Sequence, residues 1–450
     1  MKTTLKQILQ VLGINSLVEC PILGFEVDSR NIGPGFVFFA LKGECSDGHD
    51  FLKEVFAKGA ICAIVSEEYK GEVEGLLLVR VKDVVHCLQK LAAWKMARKK
   101  MPCIAVTGSV GKTTTKEFIA TLLEGKFSVQ KTPGNANSQV GLPLSILNAG
   151  EGGDVFVVEM GMNHPGEITT LLEIAPPDIA VVTKIALAHS LYFPGGLEEI
   201  ALAKSEILKH PNTKKAILNA QVRQFEAFQQ KRDFNFIFYG VASDPLLRVG
   251  DFILSQVGDE FIIQKEGEVL TEPFSLPFRA SHLLENFLAA VIVARELGMD
   301  LELILKRAKL LTPYKMRFET VEKNGIVYIN DAYNANEESM KAALRNLPTP
   351  QVGGKVIAVL GEMRELGSFS EAAHREIGRE AAQRVDLLLC LEGDCVYMAE
   401  EFSQSGKPVY GFSDLEKLKK VLSFQAKKGD VVLVKASKSL KMWTVLEDVY

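Results

Sequence analysis

Apolar residues recur along this chain with two periods. Leu5, Ile8, Leu9 and Leu12 fall at i, i+3, i+4 and i+7, which predicts an amphipathic helix near the start. Short apolar runs at 36–41, 60–65 and 76–81, parted by glycine-containing turns, predict strands. From 102 onward, strand-length runs at 103–106, 155–158, 179–182, 216–218 and 236–239 alternate with stretches of helical period. That order argues a mostly parallel sheet with helices on both faces. Between 250 and 279 the runs 252–254, 261–263 and 269–270 crowd around Gly258-Asp259 and Gly267, and predict antiparallel hairpins. A helix follows, with Leu284, Phe287, Leu288, Val291 and Ile292 on its buried stripe. His282 and Asn286, at i and i+4, share another face and read as surface residues. Beyond Pro313, strands at 326–329, 356–360, 387–391 and 431–434 alternate with helical stretches such as 370–382, a Rossmann-like pattern. The expected fold is α/β in three segments: 1–98, 99–312 and 313–450. The basic stretch 95–100, followed by Pro102, reads as a solvated linker helix at the first boundary.

Composition narrows the class. With 450 residues, 47% of them apolar, the chain can bury several cores. A net charge of −4 offers no electrostatic case for nucleic acid or an anionic membrane. No apolar run reaches the ~18 residues a membrane span needs, and no cleavable signal opens the chain. The seven cysteines are an odd number without C-x-x-C spacing, which indicates neither zinc nor a disulfide framework. Free thiols and no export signal fit the cytoplasm.

Candidate chemistry gathers just past the strands. Thr107-Gly108-Ser109-Val110-Gly111-Lys112-Thr113-Thr114 lies between a strand and a helix, the context of a phosphate-binding loop. Backbone N–H groups and the helix N-terminus would take the phosphates. Lys112 would sit on the β- and γ-phosphates and the Thr113 hydroxyl on Mg²⁺. The usual loop has a glycine five positions before Gly111, where this chain has Val106, so the spacing is the shorter Gly-x-x-Gly-Lys-Thr. Glu159 closes the run 155–158, a place where such folds hold Mg²⁺; the alternative is a solvated strand end. His189 follows the next strand, as a ligand or a structural histidine. Asn135 and Asn137 lie in a Gly/Asn-rich loop that opens toward the same edge, or is a plain turn. In the first segment, Asp28-Ser29-Arg30 and Asp47-Gly48-His49 each follow an apolar run. Arg30 could fork onto a phosphate or a ring carbonyl, or simply be solvated. In the third, 331–336, 361–367 and 435–439 follow successive strands and suggest the second wall of a cleft. The glycines form no G-x-G-x-x-G set, so no dinucleotide site is expected.

Taken together, these residues resemble the Mur ligases, ATP-dependent amide-forming enzymes that build the peptidoglycan stem peptide. The resemblance covers all three segments, and the short loop 107–114 is that family's own form of the P-loop. The more specific pieces are Asp331-Ala332-Tyr333-Asn334-Ala335-Asn336 with Ser339-Met340, Lys315-Met316-Arg317, 359–367, 161–168, and Ala203-Lys204-Ser205-Glu206-Ile207. They look like the member that joins D-alanyl-D-alanine to UDP-N-acetylmuramoyl-tripeptide through an acyl phosphate.

The resemblance implies a small N-terminal α/β domain, a central P-loop domain and a C-terminal Rossmann-like domain. It implies Lys112 and Thr113 on ATP and Mg²⁺, with Glu159 and His189 at metal positions. Lys204 would be carbamylated, an anion able to bind a second Mg²⁺. Asn286 would lie on the adenine side, Arg317 at the γ-phosphate and Asp331 at the ribose. Asp28, Ser29, Arg30, Asp47 and His49 would read the UDP end, while Lys435 and Ser437 would lie near the incoming dipeptide. Asn135, Asn137, Asn334 and Asn336 are further substrate candidates, and the enzyme is expected to be a cytoplasmic monomer. Four positions depart from the family pattern: Ala436 and Lys438 where Gly and Arg are usual, Glu362 for Asp, and Glu337 for Pro.

Two other classes compete. A nucleotide switch would need a guanine-reading Asn-Lys-x-Asp, and Thr183-Lys184-Ile185-Ala186 fails that pattern. A folylpolyglutamate-type or other Mur ligase adding a single amino acid shares the central and C-terminal segments. The folate type lacks the N-terminal one.

Overall fold

The computed structural model describes the whole chain except Met1, Lys2, Ser16, Cys45, His189, Lys231, Glu392 and Tyr450. The expected site residue His189 therefore lies outside the described residues. Contacts divide the chain into two compact units: 1–106, 126–180 and 206–214 form one, and 107–125, 181–205 and 215–450 the other.

In chain order the first unit opens with α1 (Leu5–Val11), β1 (Gly24–Glu26), β2 (Phe36–Phe39), α2 (Leu52–Ala57), β3 (Cys62–Ser66), β4 (Leu77–Val81) and α3 (Val84–Arg98). Thr4 and Gln7 form a capping box that starts α1, and Leu5, Ile8 and Leu9 are its buried stripe. β1 to β4 make a parallel sheet in that order, packed through Phe38, Ala40, Val55, Ala63 and Val65. β5 (Cys103–Thr107) crosses into the second unit, where α4 (Lys112–Leu123) lies. The chain then returns for β6 (Val129–Lys131), α5 (Gly141–Asn148), β7 (Val155–Glu159) and α6 (Glu167–Ile174), and β8 (Ile179–Val182) carries it across the boundary again. β7 pairs in parallel with both β5 and β6.

The basic stretch corrects one expectation. Lys95 is buried, and its ammonium donates to the Leu147 and Ala149 carbonyls at 2.7 and 2.8 Å. Lys99 donates to Gln130 Oε1 at 2.7 Å. Lys95 closes the carbonyl end of α5 and Lys99 holds the Gln130 side chain, instead of both lying in solvent, which the charge pattern alone does not reveal.

The second unit continues with α7 (Leu197–Ser205), β9 (Lys215–Asn219), β10 (Asn235–Val241), β11 (Phe252–Val257), β12 (Glu260–Lys265), β13 (Glu268–Val269), α8 (Ser281–Glu296) and α9 (Leu301–Ala308). β9, β10 and β11 are parallel, and β11, β12 and β13 form the expected hairpins. There follow β14 (Glu319–Lys323), β15 (Ile326–Asn330), α10 (Glu337–Arg345), β16 (Val356–Gly361), α11 (Ser370–Arg384), β17 (Leu387–Leu391), α12 (Cys395–Ser403), β18 (Val409–Phe412), α13 (Leu415–Gln425) and β19 (Val431–Lys435). Their sheet has the order β14-β15-β19-β16-β17-β18, parallel except for β14. The ends of β15, β19 and β16 are thus neighbours, and the loops 331–336, 435–441 and 361–367 leave from one edge. No helix among the described residues is long and apolar enough to cross a membrane.

Candidate active site

The phosphate loop is built by two glycines that admit no side chain. Gly111, at φ +88°, caps α4 without any side-chain hydrogen bond, and a Cβ there would lie 2.5 Å from Asn286 Oδ1. A Cβ on Gly108 would overlap the Thr183 hydroxyl. Only glycine tolerates such an approach at positive φ. Thr183 donates to the Val110 carbonyl at 2.6 Å, Ser109 N donates to the Lys184 carbonyl at 2.7 Å, and Ser109 Oγ donates to Ala186 O at 2.9 Å. Lys112 Nζ curls onto Gly108 O at 2.8 Å. Thr107, Thr113 and Thr114 are all buried.

Thr183 and Lys184 are the pieces sequence reasoning missed. Polar residues just past an apolar strand were their signal. The Lys184 ammonium meets Glu285 at 3.0 Å and Glu338 at 3.7 Å. Burial works to discharge it, but the two carboxylates outweigh burial and hold Lys184 above its usual range.

Asn286 and His282 are not surface residues. α8 is buried on nearly every side from Leu283 to Ala294, and Asn286 is 6% exposed. The His282 ring stands edge-on to Phe318 at 5.2 Å, and its buried Nδ1 has no hydrogen-bond partner among the described residues. Burial pushes this imidazole down to about 4.

Arg317 is delivered by strained backbone. Its neighbours Met316 and Phe318 have φ of 58° and 56°, rare for bulky residues. Asp331 Oδ1 fixes the turn by accepting from Phe318 N at 3.0 Å, and Glu319 Oε2 accepts from Met316 N at 3.0 Å. Arg317 Nη2 then donates to Thr113 Oγ1 at 3.1 Å, while its guanidinium lies 4.0 Å from the Tyr333 ring centre. The C-terminal segment thus places a cation on the phosphate loop.

Several candidates have structural tasks. Lys435 is buried with its ammonium 2.6 Å from Asp331 Oδ2 and 3.0 Å from Asn334 O. Asn336 caps α10, its Oδ1 accepting from Ser339 N at 2.9 Å. Ser437 Oγ accepts from Arg364 N at 2.8 Å.

In the first unit, Glu159 is 1% exposed and accepts from Asn137 Nδ2 at 2.6 Å. Gly161 makes room for that amide, since a Cβ there would lie 2.8 Å from it. Asn135 sits in the turn after Pro133. Lys204, on α7 in the second unit, is 2% exposed. Among the described residues no three His, Cys, Asp or Glu side chains gather as a metal cluster. Asp28 pairs with Arg30 at 2.5 Å, and that guanidinium holds its carboxyl down to about 2. Ser29 is buried, its carbonyl accepting from Lys58 Nζ at 2.8 Å. Asp47 Oδ1 lies 2.6 Å from His49 Nδ1, and His49 Nε2 accepts from Ser66 N at 3.0 Å, so the ring proton is on Nδ1.

The family model described as Mur ligase middle domain matches residues 106–294, and that of the Mur ligase, glutamate ligase domain matches 316–438. The model of the Mur ligase family, catalytic domain, matches 21–95. Over 431 residues the chain is 31% identical to UDP-N-acetylmuramoyl-tripeptide–D-alanyl-D-alanine ligase of Bacillus subtilis, spanning 95% of this chain and 93% of that protein. To the Synechocystis ligase of the same name it is 34% identical over 423 residues, 93% of this chain and 90% of that one. The MurF ligase of Thermotoga maritima, solved in complex with ADP, superposes with a TM-score of 0.79 at 34% identity, covering 94% and 96% of the two chains.

Proposed function

The chain belongs to the Mur ligase family, and from this we propose that it joins D-alanyl-D-alanine to UDP-N-acetylmuramoyl-tripeptide with cleavage of ATP. The observation that carries the reading is Arg317 set 3.1 Å from Thr113 on the phosphate loop, a second cation beside Lys112 where phosphoryl charge would spread. The tripeptide carboxylate takes the γ-phosphoryl group as ADP leaves and becomes an acyl phosphate, because a carboxylate has no leaving group of its own. The dipeptide amine adds to that carbonyl and gives up a proton, and the tetrahedral intermediate expels inorganic phosphate to leave the amide. Lys112 and Arg317 stabilise the transferred charge, Asn286 lies on the adenine side and Asp331 on the ribose side. Asp28, Ser29, Arg30, Asp47 and His49 receive the UDP end.

The Thr113 hydroxyl in one unit and the buried Glu159 carboxylate in the other are each hard oxygen donors of the kind that suits Mg²⁺. Held at Thr113, the ion would neutralise phosphate charge. His189 and a carbamate on buried Lys204 would complete a second site. The segments 1–98, 99–312 and 313–450 serve as UDP-substrate, ATP and closing domains of a cytoplasmic monomer.

The test is phosphate release and product mass with ATP, UDP-N-acetylmuramoyl-tripeptide and D-alanyl-D-alanine. Release is expected only with all three. Ligation of a single amino acid in place of the dipeptide would favour another member of the family. Lys112→Ala should nearly abolish turnover with unchanged circular dichroism. Lys204→Ala should lose activity and regain part of it with added short carboxylic acids.

A further inference from the structure

The first sheet ends at β1, and a side chain pairs the outward backbone of that edge strand. Asn148, the last residue of α5, accepts from Phe25 N through Oδ1 at 2.9 Å and donates from Nδ2 to Phe25 O at 2.8 Å. The same Nδ2 donates to Leu144 O, one turn back, at 3.2 Å, so the whole amide is engaged. An asparagine amide carries the donor and the acceptor of a peptide group, and here it stands where a further strand would pair. Lys95 braces this helix end on both sides of Asn148, through the carbonyls of Leu147 and Ala149. Phe25 itself is buried, its ring 6.4 Å from that of Phe39. Just past β1, Glu26 Oε1 accepts from Val27 N at 2.8 Å and from Asp28 N at 3.1 Å, which fixes the turn into Asp28-Ser29-Arg30. At the other end of α5, Ser138 Oγ accepts from Gly141 N at 3.1 Å, and the residue before Ser138 is Asn137, bonded to Glu159. All of these residues belong to the first unit.

On the ligase reading above, 28–30 receive the UDP end of the nucleotide-linked peptide, while Asn137 and Glu159 belong to its reacting end. One helix of eight residues, about 12 Å long, joins the two. Each extended residue of peptide adds about 3.5 Å, whereas a hydrogen bond keeps its strength over only about half an ångström. Two such bonds are therefore fine enough to separate peptides that differ by one residue. We infer that Asn148 is a positioning residue that sets the length of nucleotide-linked peptide the enzyme accepts, by fixing the UDP-reading turn against α5. It acts through Phe25 and β1 and is not itself a substrate contact. The inference rests on the ligase reading and adds to it what holds the two ends of the substrate site at one spacing.

Steady-state kinetics on the full chain would compare wild type, Asn148→Ala and Asn148→Asp, with UDP-N-acetylmuramoyl-tripeptide and with the analogue one residue shorter. An aspartate can accept from Phe25 N, but it cannot donate to the Phe25 carbonyl and sets a second oxygen against it. Both variants should therefore lose the clamp. The expected result is a KM for the nucleotide-linked tripeptide raised roughly fivefold or more in both. KM for ATP and for D-alanyl-D-alanine should stay within about twofold. Wild type should favour the tripeptide over the shorter analogue in kcat/KM, and that ratio should fall roughly fivefold in both variants. A wild type indifferent to the missing residue, a ratio unchanged in the variants, or equal rises in all three KM values would each overturn the inference. So would a lower melting temperature with every KM and the ratio unchanged, which would make Asn148 a brace and nothing more. Wild-type protein that releases no phosphate in response to the tripeptide would instead overturn the ligase reading, and this inference with it. Asn148 is exposed, and unchanged circular dichroism confirms that each variant is folded.

Discussion

At Gly111 the backbone occupies φ +88° and a Cβ would meet the Asn286 amide oxygen at 2.5 Å. Gly111→Ala should therefore cost about 1–3 kcal/mol in stability and weaken nucleotide binding, read by urea unfolding and by titration with ADP. Adding Asn286→Ala should return part of the stability by clearing the overlap, while the φ strain remains. His282 makes a prediction in pH. Its folded imidazole takes a proton only near 4, whereas the unfolded chain takes one near pH 6.5. Between those values the unfolded state binds more protons, so this contribution is full above the window and is lost as pH falls through it. From pH 7.5 to 5 wild type should lose about 2 kcal/mol more than His282→Phe. Equal slopes for the two proteins would show that the ring is solvated.

Helix ends show side chains acting through backbone. Lys95 reaches the last carbonyls of α5, and its removal leaves buried acceptors unsatisfied. Lys95→Met should lower the urea midpoint by an amount equivalent to about 1–3 kcal/mol. Asn336 starts α10 with a reciprocal capping box to Ser339. Asn336→Ala should cost about 1 kcal/mol, and Asn336→Asp should keep most of that. If both variants lost activity with unchanged stability, a substrate contact would outweigh the cap.

Across the second unit, Lys184 ties three distant stretches together. Its carbonyl holds Ser109 of the loop, and its ammonium holds Glu285 on α8 and Glu338 on α10. Removing the cation leaves Glu285 buried and unpaired, so Lys184→Met should destabilise by about 3–5 kcal/mol. Glu338 is more than a third exposed on its side chain, and Glu338→Gln should change stability by about 0–1 kcal/mol. Urea unfolding of the two variants measures the contrast. A small effect from Lys184→Met would mean that water reaches the pair.

Periodicity along the chain was enough for the α/β class, the loop 107–114 and the strand ends where Glu159, Asp331 and Lys435 stand. These are local properties: a strand, a glycine turn and a helix are set by neighbours in the chain. The strands β1, β6, β14 and β18 went unread because they are short or partly exposed, and their order comes from pairing partners far away in sequence. The wrong surface assignments of Lys95, His282 and Asn286 share a cause. A pattern reports one face of a helix, while burial depends on whatever packs against the others. Tertiary structure put Arg317 within hydrogen-bond reach of Thr113, 204 residues away, and neutralised Lys435 with Asp331. Charge compensation is a matter of distance in space, and the order of residues does not contain it.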